Sequence, residues 1–155
     1  MIGQPAPDFE LHNQDGAPVR LSDFRGRKVI LFAFPKANTP GCNAQACGFR
    51  DEFFSIQSSR AVVLGISPDS VELLRQWKTQ KKLPYDLLSD PDHHVLEAWG
   101  AWGISIMGVI RVPMVNRSMW VIDEAGMVVE RQINVSPKDS VRRALAAVGE
   151  VEQLG

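Results

Sequence analysis

Cys42 and Cys47 are the residues of this 155-residue chain best suited to covalent chemistry, and they are its only cysteines. The segment before the first is Phe34-Pro35-Lys36-Ala37-Asn38-Thr39-Pro40-Gly41-Cys42. It reads as a strand end, a loop and a helix start. Thr39 suits an N-cap and Pro40 the first helical position. Cys42 then falls at the third helical position. A thiolate there meets free backbone N–H groups and the positive end of the helix dipole. Both effects predict a thiol that ionises below the free value of about 8.5.

Cys42 is in phase with Ala46, Phe49, Phe53 and Ile56, the apolar stripe of the predicted helix. The thiol is therefore expected on the inward face at the exposed tip, a pocket position. Cys47 lies about 140° further around the helix, with a Cα–Cα separation of about 8.7 Å. A disulfide needs less than about 7 Å. The two cysteines can bond only if the first turns of the helix unwind.

The elements that must position these residues follow from hydropathy. Val29–Phe34 and Ala61–Ile66 are continuous apolar runs and read as strands buried on both faces. A helix of about 17 residues from Thr39 is expected between them. Phe9–Leu11 and Pro18–Leu21 flank Asp15-Gly16 and predict an N-terminal hairpin. A helix over Ser70–Lys82, a strand at Asp86–Ser89 and a short helix at Val95–Trp99 follow. The stretch Gly100–Pro113 is expected to be irregular. Ser118–Ile122 and Met127–Val135 read as a second hairpin, and Ser140–Val148 as a closing helix. Buried strands alternating with helices indicate an α/β class. The β-α-β start and β-β-α end give the element order of a thioredoxin-like fold.

Length and composition narrow the function classes. A chain of 155 residues predicts one domain over 1–155. With 17 basic and 18 acidic residues the formal charge is −1, which argues against nucleic acid or an anionic membrane as partner. The N-terminus lacks a basic and apolar leader pattern, and no apolar run approaches the roughly 20 residues of a membrane span. A cytoplasmic location and a monomer are expected. In a reducing compartment two cysteines are poorly suited to a structural staple.

Other residues read more plainly. His93-His94 with Asp90 and Asp92 could suggest a metal, but adjacent histidines rarely share one metal face, and no metal is expected. Trp77, Trp99, Trp102 and Trp120 read as packing residues. Lys78, Lys81 and Lys82 read as a solvated helix face. By spacing alone Arg117 is a solvated strand charge.

The motif changes that last reading. Pro35-x-x-x-Thr39-x-x-Cys42 resembles the peroxidatic motif of peroxiredoxins. Phe34-Pro35-Lys36 and Thr39-Pro40-Gly41-Cys42-x-x-x-x-Cys47-x-x-Arg50-Asp51 resemble the peroxiredoxin Q, or bacterioferritin comigratory protein, subgroup. Ala6-Pro7-Asp8-Phe9, Leu64-Gly65-Ile66-Ser67, Leu88-Ser89-Asp90 and Arg117–Asp123 resemble further family segments in the same order. Phe34 departs from the Tyr of many relatives, and Met107–Pro113 matches only at Met107-Gly108.

The resemblance implies a thioredoxin-like fold: a central mixed sheet flanked by helices, with the N-terminal hairpin as an extension. It also implies a thiol peroxidase without a cofactor. Cys42 would attack a hydroperoxide, hydrogen peroxide or organic, and become a sulfenic acid. Cys47 would resolve it as an intramolecular disulfide, and a thioredoxin-like donor would reduce that. Thr39 and Arg117 match the family's activating residues and Pro35 its pocket-shielding proline. Two other classes share part of this chemistry. A disulfide oxidoreductase would favour Cys-x-x-Cys spacing. A non-catalytic redox sensor would use the same Cys42–Cys47 disulfide as a switch.

Overall fold

The apolar run after Lys28 forms the central strand of the molecule. In the computed structural model, which describes residues 1–106 and 108–154 (by backbone alone at 105, 106, 111 and 150–154), every residue of this strand, Lys28–Ala33 (β3), is buried. The side chains alternate between two cores, as the two-residue period of a strand requires. Ile30 and Phe32, with Phe34 just beyond, face a cluster holding Cys42, Phe49 and Trp77. Val29, Leu31 and Ala33 face another holding Trp99 and Trp120.

The sheet has seven strands in the order β2-β1-β5-β4-β3-β8-β9. These are β1 (Glu10–Asn13), β2 (Pro18–Arg20), β4 (Ala61–Ser67), β5 (Asp86–Ser89), β8 (Ser118–Ile122) and β9 (Val128–Ile133) around β3. β3, β4 and β5 are parallel; β1, β2, β8 and β9 add antiparallel partners. The expected N-terminal hairpin is present, and it lengthens the sheet by pairing β1 with β5.

The helices are α1 (Pro40–Asp51), α2 (Phe53–Ser58), α3 (Val71–Lys81), α4 (His94–Ala98) and α5 (Pro137–Leu154). Ser70 caps α3 by accepting the Leu73 N–H, and Lys82 ends it in the left-handed region at φ 53°. α5 runs further at both ends than Ser140–Val148, with Ser136 Oγ accepting the Asp139 N–H at its start. No helix among the described residues is long and apolar enough to cross a membrane.

Three expectations are corrected. The single helix from Thr39 is two, because Glu52 (φ −99°, ψ 7°) leaves the helical well; the break lets Ile56 of α2 stay buried in the same core as Phe49. Gly100–Pro113 is not irregular. Trp102–Ile106 (β6) and Ile110–Val115 (β7) pair as a separate antiparallel ribbon with a register shift at Gly103, where φ is 93°. The β-branched Ile104, Ile110 and Val112 outweigh the glycines; Met107 lies outside the described residues. Lys78 is not a free surface charge: its Nζ donates to the Tyr85 carbonyl at 2.8 Å and lies 3.5 Å from Asp86.

Candidate active site

α1 begins where the sequence places it. Thr39 is the N-cap (φ −109°, ψ 155°), Pro40 opens the first turn, and Cys42 is the third helical residue. The helix lies against the C-terminal end of β3, the end of a parallel sheet where ligand sites form. The stripe Cys42, Ala46, Phe49 is fully buried. The expected exposed tip is therefore corrected. Cys42 has 0% exposure because Phe34 and the apolar core lie beneath it and Arg117 crosses in front of it.

Arg117 stands one residue before β8, where its carbonyl accepts the Val135 N–H at 2.9 Å. Its Nη1 and Nη2 each approach the Cys42 Sγ to 3.5 Å. The fold thus joins two residues 75 positions apart. A guanidinium offers planar, fixed donors that can hold a sulfur anion and a second acceptor together.

Two residues missed by sequence reasoning complete this contact. Gln45, with 0% exposure, accepts from Arg117 Nη1 through Oε1 at 2.8 Å. The arginine can only donate, so it fixes which end of the amide faces it. Gln45 Nε2 is then a buried donor without a partner among the described residues. Gly41 is the second. A Cβ there would lie 2.7 Å from Arg117 Nη2, so glycine is what lets the guanidinium pack on the helix start. The helical phase of Gln45, one step from Ala46, carried no signal that it would be buried.

Thr39 sits at the N-cap without a side-chain capping bond; its hydroxyl donates to the Lys36 carbonyl at 2.8 Å. Pro35 and Thr39 belong to the loop leading into α1, with Pro35 half-buried after the strand. Phe34 is fully buried and its ring lies 4.9 Å from that of Trp77. The Trp77 indole N–H donates to Asn43 Oδ1 at 2.7 Å, tying α3 to the residue after Cys42.

Cys47 lies within the intact α1, half-buried, and both thiols are free. It is apart from Arg117 and shares its surroundings with Arg50 and Tyr85. Burial, reinforced by Cys47, pushes the Tyr85 phenol well above its usual value, so it stays a neutral donor. That hydroxyl donates to the Ala46 carbonyl at 2.7 Å, and Arg50 Nη1 donates to the Lys81 carbonyl at 2.8 Å.

The other candidates take structural places. His93 stacks on Trp102 at 3.9 Å, and the Asp90 carboxylate accepts the Leu96 N–H at 2.9 Å. Among the described residues no group of three His, Cys, Asp or Glu side chains could hold a metal.

Comparison with known proteins places the chain in a family. The model of the AhpC/TSA family matches residues 2–131. The peroxiredoxin Bcp of Escherichia coli (strain K12) is 42% identical over 127 residues, covering 81% of each chain. The peroxiredoxin Bcp of Bacillus subtilis is 37% identical over 158 residues, covering 98% of this chain and 97% of the relative. The crystal structure of peroxidoxin BcpB from Mycobacterium tuberculosis, 33% identical, superposes with a TM-score of 0.85 over 96% of each chain.

Proposed function

The chain belongs to the AhpC/TSA family of peroxiredoxins and is a thiol peroxidase, and from that premise we propose that Cys42 is the residue that attacks the peroxide and Cys47 the residue that resolves the product. The observation that carries this reading is the double approach of the Arg117 guanidinium to the Cys42 sulfur.

The Cys42 thiolate attacks the terminal oxygen of a hydroperoxide. An S–O bond forms, the O–O bond breaks, and the leaving alkoxide or hydroxide takes a proton. Cys42 becomes a sulfenic acid. Thiolate formation supplies only part of the rate: a thiol of pKa about 8.5 is already about 3% ionised at pH 7, so full ionisation gains about 30-fold. The larger contribution is stabilisation of charge on the leaving oxygen. Arg117, Gln45 Nε2 and the N–H groups at the start of α1 are the donors for it, and the Thr39 hydroxyl joins them on leaving the Lys36 carbonyl. Pro35 shields the pocket.

The Cys47 sulfur then attacks the Cys42 sulfur; water leaves and a disulfide forms. With both residues on one helix, this step needs α1 to unwind. A thioredoxin-like dithiol restores the reduced form. The protein acts as a single domain over 1–155, as a monomer, in the cytoplasm, on hydrogen peroxide and organic hydroperoxides, without a cofactor.

The test is rapid mixing of reduced protein with one equivalent of hydrogen peroxide, followed by intact mass and thiol count. The expected result is loss of two hydrogens and both thiols, far faster than free cysteine reacts. Cys47→Ser is expected to gain one oxygen and stall as a sulfenic acid prone to overoxidation. A Cys47→Ser variant that turns over with thioredoxin at the parental rate removes Cys47 from the cycle. A parent no faster than free cysteine removes Cys42.

A further inference from the structure

We infer that Asp69 is a positioning residue for the peroxide step: its carboxylate fixes the loop that sets Cys42 against Arg117. This rests on the proposed role of Cys42. Asp69 is 9% exposed, beyond the end of β4. Its Oδ2 accepts the Ala37 N–H at 2.7 Å and the Ser67 hydroxyl at 3.0 Å. Its own N–H donates to Ser67 Oγ at 3.1 Å, and its carbonyl accepts from Ser89 Oγ at 2.6 Å. The Asp90 N–H donates to the Ser67 carbonyl at 2.8 Å. Asp69 is thus braced by the ends of two adjacent parallel strands, its carboxylate by Ser67 of β4 and its backbone carbonyl by Ser89 of β5.

Its target is the loop between β3 and α1. Residue 38 of that loop is in the left-handed region, with Asn38 at φ 59°. Such a conformation is uncommon outside glycine and persists when its surroundings impose it. Among the described residues the other hydrogen bonds of residues 35–39 stay within the loop and α1: Thr39 Oγ1 donates to the Lys36 carbonyl, the Asn43 N–H to the Thr39 carbonyl at 2.7 Å, and Asn43 Nδ2 to Asn38 Oδ1 at 3.4 Å. Among the described residues, the Ala37–Asp69 bond is the one that ties this loop to another element of the fold. A bond to an ionised acceptor is short and roughly twice as strong as a neutral one. Burying a carboxylate is costly unless it is hydrogen-bonded, and here one of its two bonds reaches the approach to Cys42.

The consequence is geometric. Cys42 follows the loop by three residues, while Arg117 is held by β8. Release of the loop changes the distance between sulfur and guanidinium without touching either. A misplacement of about 1 Å in a reacting pair can cost about 100-fold in rate.

The test is stopped-flow oxidation by hydrogen peroxide, read by tryptophan fluorescence, since Trp77 is bonded to Asn43 of α1. Asp69→Ala is expected to slow the bimolecular peroxide step by about 10- to 100-fold. The following unimolecular disulfide step should be unchanged or faster, because a loosened loop eases unwinding of α1. Asp69→Asn keeps an oxygen acceptor and should recover most of the peroxide rate. A purely structural role lowers the unfolding midpoint but leaves both rate constants of the folded protein unaltered, or slows them alike. Either pattern, or a parental peroxide rate in Asp69→Ala, overturns the inference. If Asp69→Ala does not fold, Ser67→Ala removes the hydroxyl that braces the carboxylate and is expected to slow the peroxide step several-fold; a parental rate there overturns it instead. Absence of a fast peroxide phase in the parent would instead be a failure of the Cys42 assignment, seen before any variant is made.

Discussion

In the proposed peroxide step, the residue-scale question is how closely the Arg117 guanidinium can approach the Cys42 sulfur. Gly41 makes that approach possible, since a methyl group there would meet Arg117 Nη2 at 2.7 Å. The two substitutions that disturb this contact should differ in their effect on stability. Arg117→Ala removes the donors and is expected to lower the rate of Cys42 oxidation by about 100-fold or more, beyond any change in thiolate fraction. Gly41→Ala displaces the same guanidinium, but alanine favours a helix over glycine by about 1 kcal/mol. It should therefore be slower by about 10-fold yet no less stable, which peroxide kinetics and a denaturant midpoint together would show. A Gly41→Ala enzyme with the parental rate would mean that the guanidinium position is unimportant. Cys42, Thr39 and Pro40 were legible because a helix start has a local grammar. Gln45 was not: an amide in a helix has no pattern that marks it as buried, and its burial follows from an arginine 72 residues away.

At the scale of the element, the proposed cycle gives α1 two conflicting tasks. It must be intact to present Cys42 at its third position, and it must open for Cys47 to reach that sulfur. Two hydrogen bonds restrain its later turns: the Tyr85 hydroxyl, from the α3–β5 connection, donates to the Ala46 carbonyl, and Arg50 of α1 donates to the carbonyl of Lys81 at the end of α3. A single hydrogen bond of this kind contributes about 1 kcal/mol net. Tyr85→Phe keeps the buried ring against Phe32 and Phe53 and loses only that bond. It should speed disulfide formation about five-fold and leave the peroxide step unchanged. The two phases of a stopped-flow trace measure both; a second phase at the parental rate would mean that Tyr85 does not restrain the helix. The break at Glu52 was not visible in the sequence, since the apolar phase of Cys42, Ala46, Phe49, Phe53 and Ile56 runs smoothly across it. Tertiary contact, with Phe53 set 6.3 Å from Tyr85, decided where the helix divides.

Across the whole molecule, one sheet supports both the active site and the core. Gly65 of β4 pairs with Phe32 on one side and Leu87 on the other. A Cβ at Gly65 would lie 2.8 Å from Leu87 Cδ2, 2.9 Å from Phe32 Cζ and 3.2 Å from Phe34 Cε1. Gly65→Ala should destabilise the fold by about 1–3 kcal/mol through overpacking, lowering the denaturant midpoint at an unchanged slope. An unshifted midpoint would show that the aromatic cluster can yield. The sequence by itself determined the α/β class, the doubly buried strands β3 and β4, the hairpins at β1–β2 and β8–β9, and the start of the helix that carries Cys42. Each of these is a short-range pattern of hydropathy, turn chemistry or capping. Only the tertiary structure decided that Arg117 meets Cys42, that Gln45 and Gly41 shape that contact, that Asp69 holds the loop before it, and that β6 and β7 pair. These depend on packing between segments distant in the chain, which leaves no periodic trace in the residues themselves.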